Sequence, residues 1–173
     1  MDLQDFNHAP ADRLRPMLAA CCDVPRWVDG ILAGRPYGDA AAVIKVADLA
    51  VRDLEDSEVD QALAAHPRIG DRPDGDSTEA TWSRSEQAGV ADDAGIRAAL
   101  AAGNREYEQR FGRVFLICAT GLSAQEMLTS LRRRLTNDHA TEAAVVRDEL
   151  RKIAVLRLAK VVAGDSADEE ISA

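Results

Sequence analysis

The chain has 173 residues, enough for one domain with a sizeable core. Hydrophobic residues make up 46% of it, with many alanines and few β-branched runs, which favours helices. A net charge of −9 argues against a protein that clings to polyanions, so neither nucleic acid nor an anionic membrane is an expected partner.

Helical periodicity dominates from the first proline onward. Pro10 opens and the CCD triplet closes a first short helix over 10–22. Pro25 starts a second, PRWVDGILAG, ended by Gly34 and Pro36. From Asp39, the apolar positions Val43, Ala47, Ala50, Val51 and Leu54 fall on one stripe of a third. A fourth, over 58–65, stops where Pro67 restricts the residue before it. The stretch GDRPDGDST at 70–78 is rich in breakers and reads as a loop. A fifth helix follows over 79–90, and a sixth over 93–111 turns Ile96, Leu100 and Tyr107 inward. VFLICAT at 114–120 is apolar and β-prone; it reads as an extended or turn-like buried segment, or as the start of another helix. Ser123 and Glu126 form a capping box that opens the seventh helix, and the eighth runs over 140–163. With no repeats and no low-complexity linkers, the expected fold is all-α, a single-domain bundle of about eight helices over 1–165, followed by an acidic disordered tail, 166–173.

The three cysteines, Cys21, Cys22 and Cys118, form no CxxC spacing and leave an odd count, which fits a reducing compartment. The opening MDLQDFNHAP lacks the basic and apolar regions of a signal peptide, and no apolar run approaches the ~20 residues of a membrane helix. The expected location is cytoplasmic. Arg132, Arg133 and Arg134 make the only basic run, read as a solvated helix face or local ion pairs.

Three places could carry chemistry. Arg157 lies in the middle of the apolar stripe Val146, Leu150, Ile153, Ala154, Leu158, Val161. A guanidinium there needs a partner, because an unpaired buried charge is costly. It is either half of a buried ion pair or a fixed cation for an anionic substrate. In WSRSEQ, Ser83 and Glu86 share one helix face, Arg84 and Gln87 the adjoining one, while Trp82 anchors the helix; a solvated face is the plainer reading. His66 ends a helix directly before Pro67. It either caps that helix by bonding its last carbonyls or works as an acid/base catalyst, and local spacing does not choose between the two. As a metal ligand it lacks company, since no HExxH motif or Cys/His grouping occurs. Cys118 sits in an apolar segment, where a buried thiol is generally inert. No GxSxG, Walker or GxGxxG signature supports a catalytic serine or a nucleotide cofactor.

Taken together, FN at 6–7, RW at 26–27, RPY at 35–37, ALAAHPRIGDRP at 62–73, WSRSEQAGV at 82–90, GNREYEQRFGRVFLICATG at 103–121, RLTND at 134–138 and ELRKIAVLRL at 149–158 resemble the 2-oxo-4-hydroxy-4-carboxy-5-ureidoimidazoline (OHCU) decarboxylases. They cover nearly the whole chain in the family's order. The resemblance implies an all-helical fold, a homodimer without metal or organic cofactor, and decarboxylation of OHCU to (S)-allantoin, the last step from urate. It implies that His66 is the catalytic histidine, with Glu86 as the second candidate for proton transfer. Pro67, Ser83, Gln87 and Arg157 are implied as substrate contacts, and Phe115, Leu116, Ile117, Cys118 and Ala119 as a backbone-lined wall of the pocket. Eukaryotic members often end in a peroxisomal tripeptide; this chain does not, which favours a bacterial cytosolic enzyme. The alternative is a non-catalytic helical module that binds a ureide or an anion as a sensor, since binding needs the same arginine and amide donors.

Overall fold

A computed structural model describes residues 1–64, 66–70, 78–87 and 94–163. Among them are nine helices and no strand: α1 (Leu3–His8), α2 (Ala11–Cys21), α3 (Pro25–Ala33), α4 (Ala40–Arg52), α5 (Asp56–Ala64), α6 (Thr78–Glu86), α7 (Ala94–Phe111), α8 (Ala124–Arg134) and α9 (His139–Val162). The expected all-α class is what forms, with one helix more than the periodicity showed. That extra helix is α1, six residues long, whose start is capped by the Asp2 side chain accepting from Asp5 N–H at 2.8 Å. The fifth predicted helix ends at Glu86, and the remainder of its predicted span, from 88, lies outside the described residues, as does the acidic tail.

The chain divides into two compact units, Met1–Glu55 with the residues from Arg151 on, and Asp56–Leu150; α9 contributes residues to both. In the first unit Pro25 sits at the start of α3, where a missing N–H costs nothing, and Asp39 caps α4 by accepting from Ala42 N–H. Val43, Ala47, Val51 and Leu54 are buried as the stripe requires. Several matched motifs of this unit are ties between elements. Asn7 bonds both backbone groups of Tyr37, accepting from its N–H and donating to its C=O, each at 2.9 Å. Arg35 donates to the carbonyls of Phe6 and Ala9, at 3.0 and 2.7 Å. Trp27 is buried and donates from Nε1 to Ala47 C=O. Asp48 on α4 holds Arg151 on α9 at 2.6 Å.

The second unit is built on α7 and α8, which carry its apolar cluster: Leu100, Tyr107 and Phe111 from the one, Met127, Leu128 and Leu131 from the other. Gly103 permits their close approach, since a Cβ there would stand 2.6 Å from a Leu131 methyl. The capping box at Ser123 and Glu126 is present in both directions. Tyr107 packs edge-on against Phe115, ring centroids 5.2 Å apart.

The run 132–134 divides between its two expected readings, and Arg134 takes the ion pair. Arg132 and Arg133 are exposed, but Arg134 is 2% exposed and paired with Glu142, itself 1% exposed, at 2.6 Å. Tyr107 also donates to Glu142, and Asn137 Nδ2 donates to its other oxygen at 2.8 Å. Burial first, then that bond to Glu142, push the Tyr107 phenol well above its ordinary pKa, so it remains a donor. The pair is therefore wrapped in hydrogen bonds, which is the condition for keeping two charges out of water.

Candidate active site

His66 follows α5, and two hydrogen bonds fix it. Its N–H donates to Leu63 C=O at 2.9 Å, and its ring Nδ1 lies 2.9 Å from Ala62 C=O. A carbonyl can only accept, so Nδ1 carries the proton and Nε2 is the basic nitrogen. Nε2 is buried, and the residue as a whole is half-buried. The histidine thus does bond a last carbonyl of its helix, as a cap would, and the same bond selects the tautomer that a general base needs.

The residues after it are anchored one by one. Pro67 is half-buried. Arg68 forms a two-pronged pair with Glu108 of α7, at 2.5 and 3.0 Å, and that hydrogen bond holds the Glu108 carboxyl below its usual range. Ile69 is buried in the apolar cluster, and its C=O accepts from Asn104 Nδ2 at 2.8 Å. Gly70, at φ +91°, adopts a left-handed conformation that a side chain would strain, and its N–H donates to Gln87 Oε1 at 2.9 Å.

Gln87 therefore acts first as a strut. Its Oε1 holds Gly70, its Nε2 donates to Ser83 Oγ at 3.2 Å, and its N–H donates to Ser83 C=O at 3.0 Å. Gln87 thus joins Ser83 one turn back, and Arg84 donates to Thr81 Oγ1. Ser83 is buried at 3% exposure; Trp82 and Glu86 are half-buried.

Residues 114–119 form no helix and no strand, in line with the first of the two sequence readings. Phe115, Leu116, Ile117 and Ala119 are buried, and Phe115, Ile117 and Ala119 share the apolar cluster with Ile69. Cys118 is half-buried rather than buried, and its N–H donates to Glu149 Oε2 at 2.7 Å. That amide is committed to the protein. Leu116 C=O accepts from Arg134 Nη1 at 2.6 Å.

Arg157 belongs to the first unit, whereas the other candidates belong to the second. It is 1% exposed, and its Nη1 donates to Ala20 C=O, in the last turn of α2, at 2.8 Å. A cation at a helix C-terminus meets the negative end of the dipole.

Five residues with structural parts here were not singled out from sequence: Asn104, Tyr107 as a donor, Arg134, Glu142 and Glu149. For three of them the signal was present. Asn104 lies on the stripe Leu100, Tyr107, Phe111; Arg134 follows Leu131 by three; Glu142 precedes Val146 by four. Each is a polar residue on an apolar face, the same criterion that drew attention to Arg157.

Comparison with known proteins agrees with the motifs. A family model described as OHCU decarboxylase matches residues 7–159. The uric acid degradation bifunctional protein TTL of Arabidopsis thaliana is 28% identical over 145 residues, covering 82% of this chain and 45% of its own, so the chain spans less than half of that relative. The 2-oxo-4-hydroxy-4-carboxy-5-ureidoimidazoline decarboxylase of Amia calva is 30% identical over 135 residues, 76% of this chain and 77% of that one. A crystal structure of OHCU decarboxylase in the presence of (S)-allantoin superposes with a TM-score of 0.73 at 27% identity, over 86% of this chain and 98% of the other.

Proposed function

Because the chain belongs to the OHCU decarboxylase family, we propose that it converts OHCU to (S)-allantoin in urate degradation, by acid/base catalysis without metal or organic cofactor. The match of the family model over 7–159 carries this reading, and the tautomer imposed on His66 supports its chemistry.

In OHCU the carboxylate sits on a carbon that bears a hydroxyl and adjoins a C=N bond. When the bond to the carboxylate breaks, its electron pair moves into the C=N system, so the substrate supplies its own electron sink. The nitrogen that receives the electrons takes up a proton, a second proton leaves the hydroxyl as it becomes a carbonyl, and a third is delivered to one face of the neighbouring carbon, which sets the S configuration. The protein has to position the carboxylate, move these protons and shield one face. His66, basic at Nε2, and Glu86 are the groups proposed for the transfers. Ser83, Gln87, Pro67 and the 115–119 backbone hold the ring and ureido groups, and Arg157 holds an anionic or carbonyl edge.

A cytoplasmic homodimer belongs to the same proposal. Among the described residues no helix is long and apolar enough to cross a membrane. Val46, Leu49 and Leu156, all in the first unit, are exposed large apolar side chains of the kind a subunit contact covers. Sedimentation of the purified protein at twice the monomer mass is expected; a monomer at all concentrations would remove this element.

Circular dichroism during decay of freshly made OHCU tests the reaction. OHCU also decays unaided to racemic allantoin, so the enzyme should both accelerate decay and produce one enantiomer. Racemic product at the unaided rate would overturn the function, and tight binding of allantoin without turnover would point to a sensor instead.

A further inference from the structure

The segment Phe115–Ala119 is gripped at two backbone atoms by charged side chains. Arg134, the last residue of α8, donates to Leu116 C=O, and its guanidinium lies over the Phe115 ring, 4.6 Å from the centroid. Glu149 of α9 accepts from Cys118 N–H. Arg134 is itself immobilised, since Nε and Nη2 both donate to Glu142 Oε1, at 2.8 and 2.6 Å. A cation therefore holds a carbonyl and an anion holds an amide, two residues apart.

Leu116 C=O and Ile117 N–H belong to one trans peptide, Ile117 C=O and Cys118 N–H to the next, and within a planar trans peptide the two groups point in opposite directions. Ile117 N–H therefore points away from Arg134, and Ile117 C=O away from Glu149. Buried backbone groups need partners. Leu116 C=O and Cys118 N–H have theirs in Arg134 and Glu149, whereas among the described residues no backbone carbonyl accepts from Ile117 N–H.

We propose that Arg134 and Glu149 are positioning residues that turn the Ile117 N–H and C=O toward the substrate. An adjacent acceptor and donor, such as the C=O and N–H of a ureide, match that pair group for group. This inference rests on the reading of 115–119 as the pocket wall. Its role is recognition in ground state and transition state alike, so it acts on KM and leaves kcat in place.

The test compares Glu149→Leu with Glu149→Gln. Leucine keeps the volume and removes the acceptor; glutamine keeps an acceptor oxygen without the charge. Glu149→Leu should raise KM for OHCU roughly tenfold at near-native kcat, and Glu149→Gln should stay within about threefold of wild type. Equal impairment of both would overturn the positioning role, because the charge and not the acceptor would then be what matters. Amide hydrogen exchange separates this from failure of the wall itself. Saturating (S)-allantoin should slow exchange at Ile117 in the wild type and do so less in Glu149→Leu. No slowing in the wild type overturns the wall reading and the inference with it. Equal slowing in both proteins, with KM unchanged, overturns only the role of Glu149. Should Glu149→Leu not fold, exchange at Cys118 N–H in the wild type decides, and fast exchange there overturns the anchor.

Discussion

The ring Nδ1 of His66 and the carbonyl oxygen of Ala62 lie 2.9 Å apart, one helical turn from each other, and this single bond joins two roles that sequence had set as alternatives. The proton shared with Ala62 is the cap, and the basic Nε2 that this bond leaves is the atom proposed for catalysis. Replacing His66 with Asn retains a polar group near the helix end, so thermal stability should change by no more than about 1 kcal/mol. Acid/base catalysis contributes ~10²–10⁴ in rate, so decarboxylation should fall at least ~100-fold and the allantoin drift toward the racemate. A marked loss of stability with the rate per folded molecule preserved would leave His66 only the cap.

Arg157 offers a second separation of stability from function. Arg157→Met leaves Ala20 C=O without the Nη1 donor, a cost of about 1–3 kcal/mol, and offsets it by packing an apolar side chain where a charge stood. The net change in unfolding free energy should stay within about 2 kcal/mol in either direction. Loss of a charged hydrogen bond to the substrate should lower kcat/KM by ~10–100-fold. Unchanged kcat/KM would dismiss the anchoring role, and an unfolded variant would make Arg157 a structural group.

The buried pair of Arg134 and Glu142 should behave in the opposite way. Arg134→Met leaves Glu142 buried with its charge and deprives Leu116 C=O of its donor, so stability should drop by about 3–5 kcal/mol in denaturant titrations. Replacing both, as Arg134→Met with Glu142→Leu, should recover part of that loss, because the orphaned charge is gone. A single variant as stable as wild type would show that the network contributes nothing net.

We predict that the activity needs no metal, because the sequence offers neither an HExxH motif nor a Cys/His grouping. Activity should survive prolonged dialysis against EDTA. Loss of turnover on chelation, restored by added zinc, would overturn the cofactor-free mechanism.

The sequence by itself determined what depends on neighbours within a turn or two: helices at 11–21, 25–33 and 40–52 and the capping box at Ser123, whereas it left 114–119 open between an irregular segment and the start of a helix. These follow from dihedral preferences and from the period of apolar residues, which are local. It did not reveal α1, because six residues are too few for a period to show. Periodicity also tells which face of a helix is buried and not what that face meets. Only the tertiary structure decided that Asn104 would hold Ile69, that Tyr107 would meet Glu142, and that Gln87 would brace Gly70. The first two pairings join residues 35 apart, the third residues 17 apart. A buried polar group takes whichever partner packing brings within about 3 Å, and that choice belongs to the folded chain as a whole.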